Sequence, residues 1–299
     1  MSKTVIGIDL GGTAIKLGRF LASGTCLSSL TIPTPQPATP EAVTKAIAIA
    51  VQQINTDGTC LAIGLGTPGP ADVSGKVALV AINLSGWHDV PLAEWLERKT
   101  NLPTIIANDA NCAGLGEAWL GAGQKYQNLI LLTLGTGVGG AVILDGKLFT
   151  GHQGAAAELG LITINLDGLP CNSGNQGSLE QYISIGAIRR QTGKEPIELG
   201  LAAEQGDKDA IHFWHQYGRL LGVGLASLIY VLTPEAIIIG GGVSASAKFF
   251  LPSAYQEIEK RVIPISRVGL KLLTAQLGNN AGMVGAAKLA WQIVAQKPE

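Results

Sequence analysis

Three glycine-rich turns, each placed directly after an apolar segment, constrain the fold of this chain more than any other feature. They lie within Val5–Lys16, Leu129–Gly140 and Ala236–Ser244. Because glycine has no side chain in the way, such turns bring backbone N–H groups close to a bound anion. Three of them on one chain predict a cradle for a polyphosphate.

The first turn adds an acid to its apolar strand. An aspartate inside such a strand is costly to bury unless it is paired or lies near a cation, so we predict that Asp9 holds Mg²⁺ through water. The candidate phosphate ligands of this turn are Gly11, Gly12, Thr13 and Lys16. Two alternatives stay open: the turn is only a β-hairpin connection, and Lys16 is a solvated strand residue.

The second and third turns carry the other candidate ligands, which are Gly135, Thr136, Gly137, Gly240, Gly241 and Gly242. A threonine between two glycines favours a phosphate clamp in the second turn, although a plain glycine-rich turn would look the same. A glycine triplet that opens a helix suits the approach of an adenosine or an α-phosphate. It is equally typical of a close contact between a helix and a sheet.

A fourth segment, Ile105–Cys112, contains an apolar strand with a carboxylate at its end. In a structural interpretation, Asn108 or Asp109 caps a helix that runs through Leu120. In a functional one, Asp109 is a general base that accepts a proton from a sugar hydroxyl as its oxygen attacks the γ-phosphate. Beside a polyphosphate cradle, the second interpretation predicts phosphoryl transfer.

Apolar periodicity and turn residues predict an α/β fold of alternating strands and helices. The predicted strands are Val5–Leu10, Ile15–Leu21, Thr25–Ile32, Leu61–Gly66, Thr104–Ala107, Leu129–Leu134, Ala141–Leu144, Ala236–Ile239 and Leu270–Thr274. The predicted helices are Glu41–Asn55, Pro91–Thr100, Asp207–Leu232, one after Ser244, and Ala281–Gln296, with a hairpin at Asp145-Gly146.

Residues 6–13 and 131–140 look like one strand–turn motif written twice. A duplicated core of this kind resembles the actin-like ATPase and sugar kinase superfamily. That resemblance implies a ribonuclease H-like fold in two domains with a cleft between them. We predict a small α/β domain at 1–112 and a large α/β domain at 113–280, with a C-terminal helix at about 281–299 packing back on the small one.

Composition constrains the partners of the chain and the compartment in which it works. The 299 residues are 46% hydrophobic and 14% charged, with a net charge of −1 and no basic run, which argues against nucleic-acid and membrane partners. No apolar stretch reaches transmembrane length. The four cysteines, Cys26, Cys60, Cys112 and Cys171, have no disulfide-like spacing. We therefore predict a cytoplasmic protein.

Seven motifs give the chain a resemblance to a known family. They are DLGGT at 9–13, GTPGP at 66–70, INLSGW at 82–87, NDANCAGLGE at 108–117, LGTGVGG at 134–140, GxxGxAxELG at 151–160 and SLE at 178–180. Nearly end to end, the chain resembles the ROK family of bacterial sugar kinases and repressors, and within it the glucokinase-like members. The resemblance implies ATP as the phosphate donor, Mg²⁺ and a homodimer. The repressors carry an additional N-terminal helix-turn-helix, which we do not expect here.

The resemblance also implies a sugar site. Its residues are Asp109 as the base, Asn108, Glu158 and Glu180 as hydrogen-bonding partners of the sugar, and Asn83 and the Gly69 backbone as lining.

The chain departs from the family at a structural zinc site made by one His and three Cys. Leu161 stands in place of the His, Ser173 and Ser178 replace two cysteines, and Cys171 remains. One thiol cannot make a tetrahedral zinc site, so zinc is not expected. The missing His also removes one expected sugar contact.

The predicted function is ATP-dependent phosphorylation of a hexose, with glucose to glucose 6-phosphate as the first candidate. Fructose, mannose or an N-acetylhexosamine are alternative acceptors, and polyphosphate is an alternative donor. A regulatory ROK protein that binds sugar without turnover is the alternative outside enzymes.

Overall fold

The computed structural model describes residues 2–81 and 84–295. They divide into two compact units. The first unit comprises Met1–Gln124, Leu148–Ala156 and Asn279–Glu299, and the second comprises Lys125–Lys147 and Ala157–Gly278. The boundary predicted between residues 112 and 113 falls inside a continuous helix, Asp109–Leu120, whereas the first unit extends to Gln124.

The first unit is built on a five-stranded sheet. Its strands and helices are β1 (Thr4–Leu10), β2 (Ala14–Phe20), β3 (Cys26–Pro33), α1 (Pro40–Ile54), β4 (Cys60–Thr67), β5 (Ala78–Val80), β6 (His88–Val90), α2 (Leu92–Thr100), β7 (Thr104–Asn108) and α3 (Asp109–Leu120). The sheet order is β3-β2-β1-β4-β7, with β1, β4 and β7 parallel and β2 antiparallel to both of its neighbours. Strands β5 and β6 form a separate hairpin.

The second unit repeats this plan. Its elements are β8 (Leu129–Leu134), β9 (Val138–Leu144), β10 (Lys147–Leu148), α4 (Glu180–Ile183), α5 (Ile185–Thr192), α6 (Pro196–Glu204), α7 (Lys208–Leu232), β11 (Ala236–Gly240), α8 (Ala247–Arg261) and β12 (Lys271–Thr274). The sheet order is β10-β9-β8-β11-β12, with β8, β11 and β12 parallel. Each sheet therefore has the same order, and the predicted duplication is confirmed.

The sequence places the ends of these elements by ordinary rules. Helix α1 begins after Thr39, whose hydroxyl accepts the amide of Ala42, and Pro40 occupies its first turn. The predicted hairpin at Asp145-Gly146 is confirmed, because both residues have positive φ, as a tight two-residue turn requires. Of the described helices, none is long and apolar enough to span a bilayer.

The last helix, α9 (Ala281–Ala295), belongs to the first unit and lies directly on its sheet. A Cβ added to Gly64 of β4 would collide with the carbonyl of Ala286, and one added to Gly285 would collide with that of Cys112. Small residues therefore let α9 approach both β4 and α3. Helix α9 also contacts β1 and β7, whose ends carry predicted site residues.

Candidate functional site

The first glycine turn joins β1 to β2 and is held from the end of β3. The amide of Gly11 donates to the carbonyl of Ala14 at 3.0 Å, and the hydroxyl of Thr34 donates to the carbonyl of Gly11 at 2.7 Å. Gly12 and Thr13 are exposed. A Cβ on Gly12 would meet nothing within 4 Å, so the packing of the protein itself does not require glycine there. This open space is compatible with the predicted phosphate.

Asp9 lies at the end of β1 in a crowded, half-buried position. Burial raises the pKa of its carboxyl, the opposed charge of Lys16 lowers it, and the charge of Asp109 raises it further. A Cβ on Gly282 of α9 would come within 3.0 Å of Asp9 Cγ, so the carboxyl lies against the first turn of that helix. Lys16 is partnered rather than only solvated, because its Nζ donates to the carbonyl of Asn279 at 2.9 Å.

Asn108 fulfils the structural interpretation of its segment, as the helix cap, and leaves Asp109 for the functional one. Asn108 is the N-cap of α3, and its Oδ1 accepts the amides of Ala110 at 2.9 Å and Asn111 at 3.2 Å. Its Nδ2 donates to the carbonyl of Gly69 at 3.3 Å, which brings these two predicted sugar-site residues together. Since Asn108 makes the cap, the carboxyl of Asp109 remains available for chemistry.

The carboxyl of Asp109 has the character of a proton acceptor. Its surface reaches solvent, yet the surrounding protein excludes enough water to raise its pKa. Hydrogen bonds from the amide of Ala110, at 2.7 Å from Oδ1, and from Asn108 partly oppose this rise. A carboxylate with a raised pKa is a better general base near neutral pH. The fully buried thiol of Cys112 lies behind it and stays protonated, because desolvation, then Asp9 and Asp109, raise its pKa well above the usual value.

The donor set in the first unit fits a hard cation held jointly with a phosphate. Asp9 is a desolvated carboxylate beside a second carboxylate, an arrangement that a cation stabilises. Mg²⁺ prefers oxygen ligands and commonly takes one or two carboxylates together with phosphate oxygens and water. Within residues 2–81 and 84–295, no group of three or more His, Cys, Asp or Glu could hold a metal by itself.

The second glycine turn, 135–137, joins β8 to β9 and is closed by the amide of Gly135, which donates to the carbonyl of Gly137 at 2.9 Å. Two contacts from the start of the α4–α5 segment hold it. The amide of Val138 donates to Glu180 Oε2 at 2.8 Å, and the amide of Ile185 donates to the carbonyl of Gly135 at 2.8 Å. Thr136 is exposed at the tip.

The third glycine turn follows β11. Gly241 has φ +82°, and a Cβ there would collide with the backbone of Leu134 at the end of β8. A close approach of the turn to the backbone of β8 therefore explains this glycine. Gly240 is buried, whereas Gly242 opens a 3₁₀ turn that runs into α8 and has nothing within 4 Å of an added Cβ. A ligand role for the triplet stays a prediction.

Two predicted sugar residues remain, Glu158 and Asn83. Glu158 is exposed in the second unit, directly before a 3₁₀ helix at Leu159–Leu161. Asn83 lies outside the described residues. Sequence reasoning missed Thr34 and Gln36, which donate to carbonyls of the first turn. Each contact joins residues more than twenty positions apart, so no local sequence pattern predicts it.

The segment in which the resemblance implies a zinc site for the family is organised by Asn175. Its Nδ2 donates to the carbonyl of Leu161 at 2.6 Å, and its own carbonyl accepts the amide of Cys171 at 2.7 Å. Burial raises the pKa of the Cys171 thiol, but hydrogen bonds from Ser173, Ser178 and Gln181 outweigh it and leave the pKa lowered.

The two sheets have the same strand order, and each has a glycine turn after its first strand. This duplicated core is the actin-like ATPase fold. The chain belongs to the ROK family, whose family model matches residues 5–293. The resemblance predicted from seven motifs is thus confirmed.

Relatives match over almost the whole chain. A glucokinase of Streptomyces coelicolor is 36% identical over 313 residues, covering 95% of this chain and 96% of that protein. A crystal structure of a ROK family glucokinase from Streptomyces griseus in complex with glucose and AMPPNP shares 37% identity, with a TM-score of 0.81, over 97% of this chain and 99% of the other. The ROK hexokinase of Thermus thermophilus shares 34% identity, with a TM-score of 0.86, over 98% and 100%.

Proposed function

We propose that this chain is a sugar kinase that transfers the γ-phosphate of ATP to glucose. The observation that carries the proposal is the carboxyl of Asp109, which reaches solvent, has a raised pKa and is held at the start of α3 beside its capping neighbour Asn108. The similarity to glucokinases over nearly the full length of both chains supports ATP as donor and glucose as acceptor.

In this mechanism Asp109 accepts the proton of a sugar hydroxyl as the oxygen attacks the γ-phosphate. The transition state is loose, so positioning and modest basicity suffice. Backbone N–H groups of the glycine turns bind the phosphates. Mg²⁺, when bound, neutralises charge on the transferring group, and Asp9 is the residue that would hold it.

We assign the hydrogen bonds that recognise the sugar to Asn108, the carbonyl of Gly69, Glu158 and Glu180. Leu161, in place of the family's His, removes one polar partner, so the acceptor preference is the least constrained part of the proposal. Fructose, mannose and N-acetylhexosamines are the competing acceptors.

A substrate panel tests the proposal. Purified protein with ATP and Mg²⁺ is given each hexose in turn, and ADP release and the sugar phosphate are measured. We expect glucose to give the highest kcat/KM and EDTA to stop turnover. A second series replaces ATP with polyphosphate. Sugar binding without ADP release on any hexose would favour the regulatory alternative.

We also infer that the chain forms a homodimer. Support comes from large apolar side chains on the second unit, where Val231, Ile265 and Val268 are 78%, 78% and 76% exposed. Tyr230 joins this surface to the end of α8, because its hydroxyl donates to the carbonyl of Arg261 at 2.8 Å. Light scattering should give twice the mass of 30.9 kDa. Val231→Glu should shift the protein toward monomer, and a wild-type monomer at high concentration would refute the inference.

A further inference from the structure

The segment that carries Glu180 is fixed firmly to the core of the second unit. Leu179 is fully buried against α7, where a Cβ on Gly224 would approach its Cδ2 to 2.7 Å. At the other end of α4, the buried hydroxyl of Tyr217 donates to the carbonyl of Ile183 at 2.7 Å. The backbone of Glu180 therefore has little freedom to shift, and its side chain starts from a defined place.

This fixed segment holds the second glycine turn from both sides. Ile185 binds the carbonyl that opens the turn, and Glu180 binds the amide of Val138 that follows it. A Cβ on Gly137 would lie 2.6 Å from Glu180 Oε2, although Gly137 does not have a positive φ. A side chain at this position would therefore push the carboxylate of Glu180 away from the amide of Val138.

A carboxylate has two oxygens and about four lone-pair sites, so it can serve two partners at once. Oε2 accepts from Val138 at 2.8 Å, and a charge-assisted bond of this length is stronger than one between neutral groups. The second oxygen can then accept from sugar hydroxyls without releasing the turn.

We propose that Glu180 is a positioning residue for the second glycine turn as well as a sugar contact, so that one carboxylate ties the sugar site to the phosphate site. The proposal rests on the proposed function for the identity of the two ligands. It goes beyond that function because it makes nucleotide affinity depend on a residue assigned to the sugar.

The experiment compares Glu180→Ala with Glu180→Gln, and uses Gln181→Ala, the next residue of the same helix, as the matched control. Calorimetry measures AMPPNP affinity without sugar, and amide hydrogen exchange at Val138 is followed without any ligand. Loss of the acceptor in Glu180→Ala should weaken AMPPNP binding about tenfold and speed exchange about tenfold. Glutamine keeps an acceptor oxygen but not the charge, so Glu180→Gln should show smaller losses than Glu180→Ala in both measurements. Both variants should lose glucose affinity, and the control should lose neither.

Each other outcome has a defined meaning. Wild-type AMPPNP affinity and exchange in Glu180→Ala would overturn the proposal, as would losses in Gln181→Ala equal to those in Glu180→Ala. Absence of AMPPNP binding by the wild type would refute the proposed function, whereas exchange at Val138 would still decide whether Glu180 holds the turn. If Glu180→Ala does not fold, Gly137→Ala displaces the same carboxylate and should show the same losses.

Discussion

The glycine turns of the two units occupy the same place in two sheets of the same strand order, yet they are held in opposite ways. At the first turn a side-chain donor, the hydroxyl of Thr34, binds a backbone carbonyl. At the second turn a side-chain acceptor, the carboxylate of Glu180, binds a backbone amide. The same hairpin topology thus tolerates opposite polarity in the groups that fix it.

The loops also differ in length and in the source of their acid. Leu10 pairs with Ile15 across a four-residue loop, whereas Leu134 pairs with Val138 across three residues. The residue before Leu10 is Asp9, and the matching residue before Leu134 is Thr133. The first unit therefore carries its carboxylate on the strand itself, and the second unit receives one from a helix that follows much later in the chain. The two units therefore share a backbone topology but differ in the side chains that supply a carboxylate to the glycine turn.

The sharpest test of this division is Asp109→Asn in the first unit. Asparagine cannot accept the hydroxyl proton, so kcat should fall about 10³-fold while glucose affinity stays measurable. Asp209→Asn, which alters an exposed acid in the first turn of α7, is the control and should keep wild-type kcat. Steady-state kinetics with direct sugar-binding measurements would check this, and near-normal turnover by Asp109→Asn would remove the assignment of the base.

The two turns should also respond differently to the same substitution. Gly137→Ala places a Cβ against Glu180 Oε2, so the carboxylate must move and its bond to Val138 is lost, which should lower the free energy of unfolding by about 1 kcal/mol. Gly12→Ala meets open space and should change it by less than about 0.5 kcal/mol. Denaturant unfolding measures both. The cost of Gly137→Ala should shrink in a Glu180→Ala background, and strictly additive costs would contradict the contact.

Glu257 in the second unit and Asp9 in the first should change the pH dependence of stability in opposite directions, because their pKa values are shifted in opposite directions. The side chain of Glu257 lies between α7 and α8, is 6% exposed and binds Arg261 at 2.8 Å. Burial raises the pKa of its carboxyl, but the bases Arg261, Lys260 and Arg219 outweigh burial and leave the pKa lowered. Its stabilisation is therefore present above the unfolded value near 4.5 and is lost as pH falls through the lower folded pKa. Glu257→Gln should cost about 1 kcal/mol at pH 7, after screening of the exposed bases, and progressively less in acid.

Asp9 should behave in the opposite way. Burial raises its pKa, so its charged form is disfavoured in the folded state above the unfolded value of 3.8. Stability from this group rises as pH falls through the raised pKa, and Asp9→Asn should raise the Tm at pH 7. Thermal melts of both variants between pH 4 and pH 8 would test the pair. Shifts of the same sign for Asp9→Asn and Glu257→Gln at pH 7 would contradict this interpretation.

The smallest expected effect concerns the segment that replaces the zinc site. We propose that the chain holds no structural zinc and that Asn175 links Cys171 to Leu161 instead. EDTA should leave the Tm unchanged, and elemental analysis should find less than stoichiometric zinc. Asn175→Ala should lower the free energy of unfolding by about 1 kcal/mol through the lost side-chain bond to the carbonyl of Leu161, whereas the bond from the amide of Cys171 to the main-chain carbonyl of residue 175 is kept. One zinc per chain, or a melt that depends on chelator, would show that another ligand set has formed.

Much of the fold follows from local sequence. Strands such as β1 and β8 are largely apolar runs that are followed by glycine. Helices such as α1 and α7 are long enough to show a full apolar stripe. The predicted positions of these elements are therefore confirmed within about one to three residues. The hairpin β5–β6 and the helices α4, α5 and α6 were not predicted. They are short, and tertiary packing rather than periodicity stabilises elements of that length.

The candidate site divides along the same line. The residue types and their order are evident from the sequence alone: an acid on a strand, glycines after it, and an asparagine–aspartate pair where a strand meets a helix. The folded chain was needed to show that Asn108 makes the cap and leaves Asp109 available, that Lys16 binds the carbonyl of Asn279, and that Glu180 holds the second glycine turn. The difference lies in the sequence separation of the bonded groups. Caps and turns are set within a few residues, whereas these last two bonds join groups 263 and 42 positions apart, and only the folded core brings them within hydrogen-bonding distance.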